Sequence, residues 1–152
     1  MKQTIILASD HAGFAVKEAV KTFLQGKGYE IRDVGASTFV DGDDYPEYMM
    51  KAGMEISKDL KNESKAIIFG GSGEGEAIVA NRFPGVRAVV WYGGDKAILK
   101  LTREHNDANV LSIGARFVDE ESAKEAVILW LKTPFSGEER HMRRIAQIDN
   151  FE

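Results

Sequence analysis

The chain has 152 residues, 43% hydrophobic and 29% charged, a globular balance that excludes a disordered or fibrous protein. Twenty-four acidic against twenty basic residues give a net charge of −4, which argues against nucleic acid, whose phosphates call for a basic field. Cysteine is absent, which removes disulfides, thiolate metal sites and cysteine nucleophiles, and no apolar run approaches the ~20 residues of a membrane span.

The opening residues M-K-Q-T-I-I-L-A-S-D lack a signal peptide's long apolar stretch, so one cytoplasmic domain over residues 1–152 is expected. A β-branched run at Thr4–Ala8 predicts a first strand. Val16, Ala19, Val20, Phe23 and Leu24 fall at helical spacing and predict an amphipathic helix. Glu30–Val34 reads as a second strand. After the acidic loop Asp41–Asp44, Pro46 suits a first helical turn, with Met49, Ala52, Ile56 and Leu60 as its looser stripe. A strand at Ala66–Phe69 is followed by a short helix at Glu76–Arg82, and a strand at Ala88–Trp91 by a helix from Gly94 to Glu104. Val110–Ile113 supplies the fifth strand, and Ala123, Ala126, Val127, Trp130 and Leu131 the stripe of the next helix. Beyond Pro134, Ser136 and Glu139 form an S-x-x-E capping box that opens a last helix, about 136–148. Strands alternating with helices predict a three-layer α/β/α fold: an open five-stranded parallel sheet, helices on both faces, and an extra C-terminal helix.

Ligands bind such sheets outside the carboxyl ends of the strands, so the residues that follow each strand matter most. Asp10 and His11 follow the first strand, and Tyr45 closes the loop after the second. The third is followed by Gly70-Gly71-Ser72-Gly73-Glu74-Gly75-Glu76, and the fifth by Gly114-Ala115-Arg116. Four glycines in residues 70–75 match neither a dinucleotide fingerprint nor a P-loop. They suit either backbone amides turned toward an oxyanion or a plain turn with positive φ. Glu74 and Glu76 suit either acid–base chemistry or partnership with a helix dipole. The three histidines, at 11, 105 and 141, show no metal-ligand spacing, and a metal site is not expected. Arg140 and Arg144, four apart on the last helix, share one face, which is either a phosphate clamp or a solvated basic surface.

Taken together, S-D-H-A-G at 9–13, D-Y-P at 44–46, G-G-S-G-E-G-E at 70–76 and A-N-R-F-P-G-V-R-A at 80–88 resemble one family. R-E-H-N-D-A-N-V-L at 103–111, G-A-R at 114–116 and R-H-x-x-R at 140–144 extend the match from residue 4 to about 148. The resemblance is to the type B ribose-5-phosphate isomerases and the related galactose-6-phosphate isomerases. It implies a Rossmann-like fold and aldose–ketose isomerisation of a phosphorylated sugar, without metal or nucleotide cofactor. It also implies a homodimer, in some members paired into tetramers, with active sites shared between subunits. The family's base is a cysteine after the third strand or, in another branch, a glutamate on the loop that follows. Gly70 stands at the cysteine position here, and the match makes Glu76 the base. By the same match His105 opens the sugar ring, assisted by Asp10. Ser72 with the amides of Gly71, Gly73 and Gly75 holds the enediolate, and Tyr45 and Asn106 line the sugar site. His11, Arg116, Arg140 and Arg144 take the phosphate.

Parallel topology adds a constraint. His105 precedes the fifth strand, so it belongs at the sheet edge opposite the glycine loop, beyond reach of its own subunit's Glu76. The same residues would also serve a six-carbon aldose phosphate such as galactose 6-phosphate or allose 6-phosphate. A non-catalytic sugar-phosphate sensor would keep the arginines and need no base.

Overall fold

In a computed structural model of the chain, which describes residues 3–151, five parallel strands form one sheet in the order β2-β1-β3-β5-β4. The strands are β1 (Thr4–Ser9), β2 (Glu30–Asp33), β3 (Lys65–Gly70), β4 (Ala88–Trp91) and β5 (Val110–Gly114). The helices are α1 (Phe14–Gly26), α2 (Tyr45–Lys58), α3 (Glu74–Ala80), α4 (Ala97–Asn106), α5 (Glu120–Lys132) and α6 (Glu139–Asp149). None among the described residues is long and apolar enough to cross a membrane.

Alternation along the central strands sorts side chains into two cores. Ile5 and Leu7 of β1 face the α1, α4 and α5 layer, where they meet Val20, Leu24, Leu99 and Trp130. Ile6 and Ala8 point the other way, onto Met49, Ala52 and Ile56 of α2 and Ala80 of α3. β1, β3 and β5 are therefore apolar on both faces, whereas edge strand β2 has a half-exposed pattern. One buried residue of α1 is not apolar. Lys17 has no exposed surface, and its ammonium group donates to Asp33 at 2.5 Å, the Ala36 carbonyl at 2.9 Å and Glu18 at 2.9 Å. Lys21 reaches the same two carboxylates.

Three helix starts differ from expectation, α4 opening at Ala97 with Lys96 as its cap rather than just after Gly94. The short helix after β3 begins at Glu74 rather than Glu76, because Gly73, at φ +83°, turns the chain two residues earlier. The capping box at Ser136 and Glu139 does not form. Gly137 adopts φ +68° and the Ser136 amide donates to the Glu104 carbonyl, so α6 starts at Glu139 with Glu138 as its cap. The Ser136 hydroxyl is left to accept from the Glu138 amide at 3.3 Å.

Candidate active site

At the carboxyl edge of the sheet the loops after β1, β2, β3 and β5 surround a cleft of about 310 Å³. Asp10, His11, Tyr45, Gly71, Ser72, Gly75, Glu76 and Arg116 line it, together with Ala12. The volume lies at the lower end of the roughly 300–1,000 Å³ typical of small-molecule sites.

The β3 strand ends in Gly70, and the chain then folds back so that Glu76, on the first turn of α3, returns to the strand end. Only glycine permits this: a Cβ at position 70 would lie 1.8 Å from Glu76 Oε1. Gly73 makes the turn in the left-handed region, and its carbonyl accepts from Ser112 Oγ of β5 at 2.7 Å, which fastens the loop to the sheet. Glu76 is only 4% exposed. Burial pushes its carboxyl above the usual range, the amides of Glu76 and Gly73 pull against that, and the Asp10 charge adds to the rise. A carboxyl group that is nearly dry, close to a second carboxylate, open to a cleft and raised above its ordinary pKa is suited to proton exchange with a bound molecule.

The opposite wall is built from β1. Asp10, 5% exposed, accepts the Ala12 amide at 3.0 Å and the Gly13 amide at 3.3 Å through Oδ1. His11 lies beside it, with Nδ1 3.8 Å from Asp10 Oδ2. Arg116 follows β5; its amide donates to the Gly71 carbonyl at 3.1 Å and its guanidinium packs on Gly71. Arg116 thus stands on the rim of its own chain's cleft. Ser72 Oγ accepts the Glu74 amide at 3.2 Å, and the Tyr45 hydroxyl lies against Gly75.

Four expected site residues lie elsewhere. His105 and Asn106 end α4, before β5, at the amino edge of the sheet. The five residues of β5 separate the two edges by about 16 Å at the usual rise of ~3.3 Å per residue. His105 stacks on His141, with ring centroids 4.3 Å apart and planes inclined by 15°. Burial, and then the neighbouring His105 and Arg140, hold the His141 imidazole below its ordinary pKa. Arg140 and Arg144 are exposed on α6, and Arg140 Nε donates to Glu138 at 2.9 Å. The expected site residues therefore fall into two groups. One holds the carboxylates at the carboxyl edge, and the other holds a histidine stack and arginines at the amino edge.

Asp43 is a site residue that spacing alone does not reveal. Its Oδ1 accepts both the His11 amide and His11 Nδ1, each at 2.8 Å, across 32 residues of sequence. The only advance sign is its place in the acidic run before Tyr45-Pro46. Asp10, His11 and Asp43 bring potential ligand atoms within 4.8 Å of one another, but Asp43 already takes the His11 Nδ1, so the three form a hydrogen-bonded group rather than a metal site.

Over nearly its whole length the chain is similar to known proteins. A family model described as Ribose/Galactose Isomerase matches residues 5–148. The ribose-5-phosphate isomerase B of Mycolicibacterium paratuberculosis is 36% identical over 148 residues, which cover 97% of this chain and 91% of that one. Among solved structures, ribose-5-phosphate isomerase B of Mycoplasma genitalium with bound ribulose-5-phosphate superposes with a TM-score of 0.91 at 32% identity. That match covers 97% of this chain and 95% of the other. The Thermotoga maritima ribose 5-phosphate isomerase is 41% identical with a TM-score of 0.87, covering 98% of this chain and 99% of its own.

Proposed function

This chain belongs to the ribose/galactose isomerase family, and on that premise we propose that it interconverts ribose 5-phosphate and ribulose 5-phosphate. One observation carries the reading: the almost fully buried Glu76 carboxylate at the end of β3, beside a cleft small enough for a pentose phosphate. Glu76 takes the proton from C2 of the open-chain aldose and returns it to C1, while O1 gains a proton and O2 gives one up, so that the C1 carbonyl becomes a hydroxyl and the C2 hydroxyl a carbonyl. General acid–base help of this kind contributes about 10²–10⁴-fold. Ser72 and the amides of Gly71 and Gly75 hold the enediolate oxygens as the charge develops, while the Gly73 amide, expected among them, is turned to the Glu76 carboxyl. The base, the donors and the charge they stabilise need neither a metal nor a nucleotide cofactor.

The ring must open first. His105 is suited to that acid–base step because an imidazole can both give and take a proton, with Asp10 assisting at the ring oxygen. Because His105 stands about 16 Å from the cleft along β5, the His105 and Asn106 that serve Glu76 come from a second copy of the chain. In this arrangement His11 and Arg116 on one side, and Arg140 and Arg144 from the other copy, bind the phosphate, and Tyr45 borders the sugar. We read the chain, residues 1–152, as one isomerase domain acting as a homodimer with shared active sites, a unit that can pair further into a tetramer. We read the enzyme as cytoplasmic, with a substrate whose phosphate charge prevents free passage across membranes.

Purified protein incubated with ribose 5-phosphate is expected to release ribulose 5-phosphate, and Glu76→Gln to lose about 10²–10⁴-fold in kcat while still binding substrate. Galactose 6-phosphate and allose 6-phosphate are expected to turn over more slowly. Tight binding of pentose phosphate with no turnover by the unaltered protein would replace the enzyme with a sensor, and faster turnover of a six-carbon substrate would reassign the sugar.

A further inference from the structure

The loop between β2 and α2 has a second connection to the cleft. Asp43 lies on it with its side chain only 8% exposed, and both bonds it accepts from His11 end on one oxygen, Oδ1. The backbone bond fixes where the histidine sits, and the ring bond fixes which way the imidazole faces. Phe39, on the same loop, meets the ring edge-on with centroids 6.3 Å apart and limits its rotation. With Nδ1 turned to Asp43, the nitrogen left for the cleft that His11 lines is Nε2.

We propose that Asp43 is a positioning residue for the anionic end of the substrate: its carboxylate orients His11 and keeps it an imidazolium, so that Nε2–H donates to the phosphate as a charged group. The proposal rests on the sugar-phosphate reading of the cleft and names one device by which the cleft recognises an oxyanion. Carboxylate–imidazole pairs of this kind stabilise the charged ring and set its tautomer. The charges around His11 agree in sign. The Asp43 hydrogen bond raises its pKa, burial opposes this, and Asp10, Asp43 and Asp41 add to the rise. Asp43 stays ionised, because burial alone would raise its carboxyl pKa but the bonds from His11 outweigh that. From α2, Tyr45 lines the cleft and Tyr48 presents a phenol whose ionisation burial and the Asp43 charge make harder; from α3 comes Glu76, and from the turn after β5 comes Arg116. Arg116 is the one cation among these groups, and it repels the imidazolium while sharing its ligand.

Two measurements test the pair without any turnover. In ¹⁵N-labelled protein, with the His11 ring assigned by its loss in His11→Asn, the wild-type ring is expected to titrate above ~6.5 and to fall by about one unit or more in Asp43→Asn. Sulfate, whose charge is constant from pH 5 to 9, is the probe for the oxyanion. Its affinity is expected to weaken as pH rises through the His11 transition, and in Asp43→Asn to be about tenfold weaker at pH 7, with the weakening displaced to lower pH. In the isomerase assay the same variant is expected to raise KM about tenfold and change kcat less than about threefold. An unshifted His11 titration, an unchanged sulfate profile, or a loss confined to kcat would overturn the proposal. Should Asp43→Asn not fold, the wild-type titration still decides, since a His11 pKa at or below about 6.5 is incompatible with the pairing. Absence of isomerase activity would remove the proposed function and leave the titration result standing.

Discussion

The carboxylate of Glu76 occupies the space that any side chain at position 70 would need, with Oε1 1.8 Å from where a Cβ on Gly70 would be. Backbone and side chain are thus matched: β3 ends without a side chain so that a carboxylate from the next helix can reach the strand end.

Gly70→Ala tests that match. The methyl group cannot coexist with the carboxylate where it stands, and β3 is buried along its length, so Glu76 must swing away. Steady-state kinetics are expected to show kcat reduced by about 10²-fold or more, a loss near that of removing the base, with KM far less affected. Near-normal kcat would mean that Glu76 acts from another position.

The raised Glu76 pKa has two consequences of known sign. A base must be ionised, so kcat/KM is expected to rise with pH through a transition above the ordinary ~4.3 of a glutamate, and to plateau above it. A carboxyl whose pKa is higher folded than unfolded costs stability wherever it is ionised. Below the unfolded value both states are protonated and the cost vanishes. Glu76→Gln is therefore expected to unfold at higher temperature than wild type at pH 8, with the gain shrinking to nothing as pH falls below about 4. A variant less stable than wild type at pH 8 would contradict the burial argument.

Much of this was legible in the sequence because the signals are local. Four of the five strands are largely apolar runs, β2 with E-I-R-D being the exception, and the glycine loop declares itself by composition. Asp10, His11 and Arg116 are found by their place after strands, since a parallel sheet collects such residues at one edge. What spacing does not show depends on partners far along the chain. Asp43 meets His11 across 32 residues, and His141 on α6 stacks on His105 of α4. Lys17 interrupts an apolar stripe yet is fully buried, because Asp33 and the Ala36 carbonyl come back over α1 to receive it. The Ser136 capping box failed for the same reason: its pattern is local, but the Ser136 amide is taken by Glu104, on α4.

Asp33 holds the buried ammonium of Lys17 and the half-buried one of Lys21 at once. Removing the carboxylate leaves the fully buried Lys17 ammonium with only Glu18 and the Ala36 carbonyl, and breaking a buried pair typically costs up to about 3–5 kcal/mol. Removing Lys21 leaves Asp33 with Lys17, and an exposed pair is worth about 0–1 kcal/mol. Urea unfolding is expected to rank Asp33→Ala well below Lys21→Ala in stability. Burial works to raise the Asp33 pKa, but the lysine bonds outweigh it and hold the group below its usual value. Its contribution is therefore complete above the unfolded pKa of about 3.9 and is lost as pH falls through the lower folded value. The gap between the two variants is expected to narrow only in that acidic range, and equal midpoints at pH 7 would refute the buried-charge account.

The separation of His105 from Glu76 gives the shared-site proposal its sharpest test. If each active site takes Glu76 from one chain and His105 from another, His105→Ala and Glu76→Gln damage the same site from opposite sides. A dimer of His105→Ala has two sites without the ring-opening group, and a dimer of Glu76→Gln has two without the base. Their heterodimer has one site lacking both and one site intact. Equal mixing after reversible dissociation makes half the dimers heterodimers, so activity is expected to recover to about one quarter of wild type in a two-fold assembly. Co-expression with two affinity tags isolates the heterodimer, whose specific activity should then approach half. A pure heterodimer as inactive as its parents would show that each chain completes its own site, and would require α4 to move His105 about 16 Å along the sheet to reach the carboxylate.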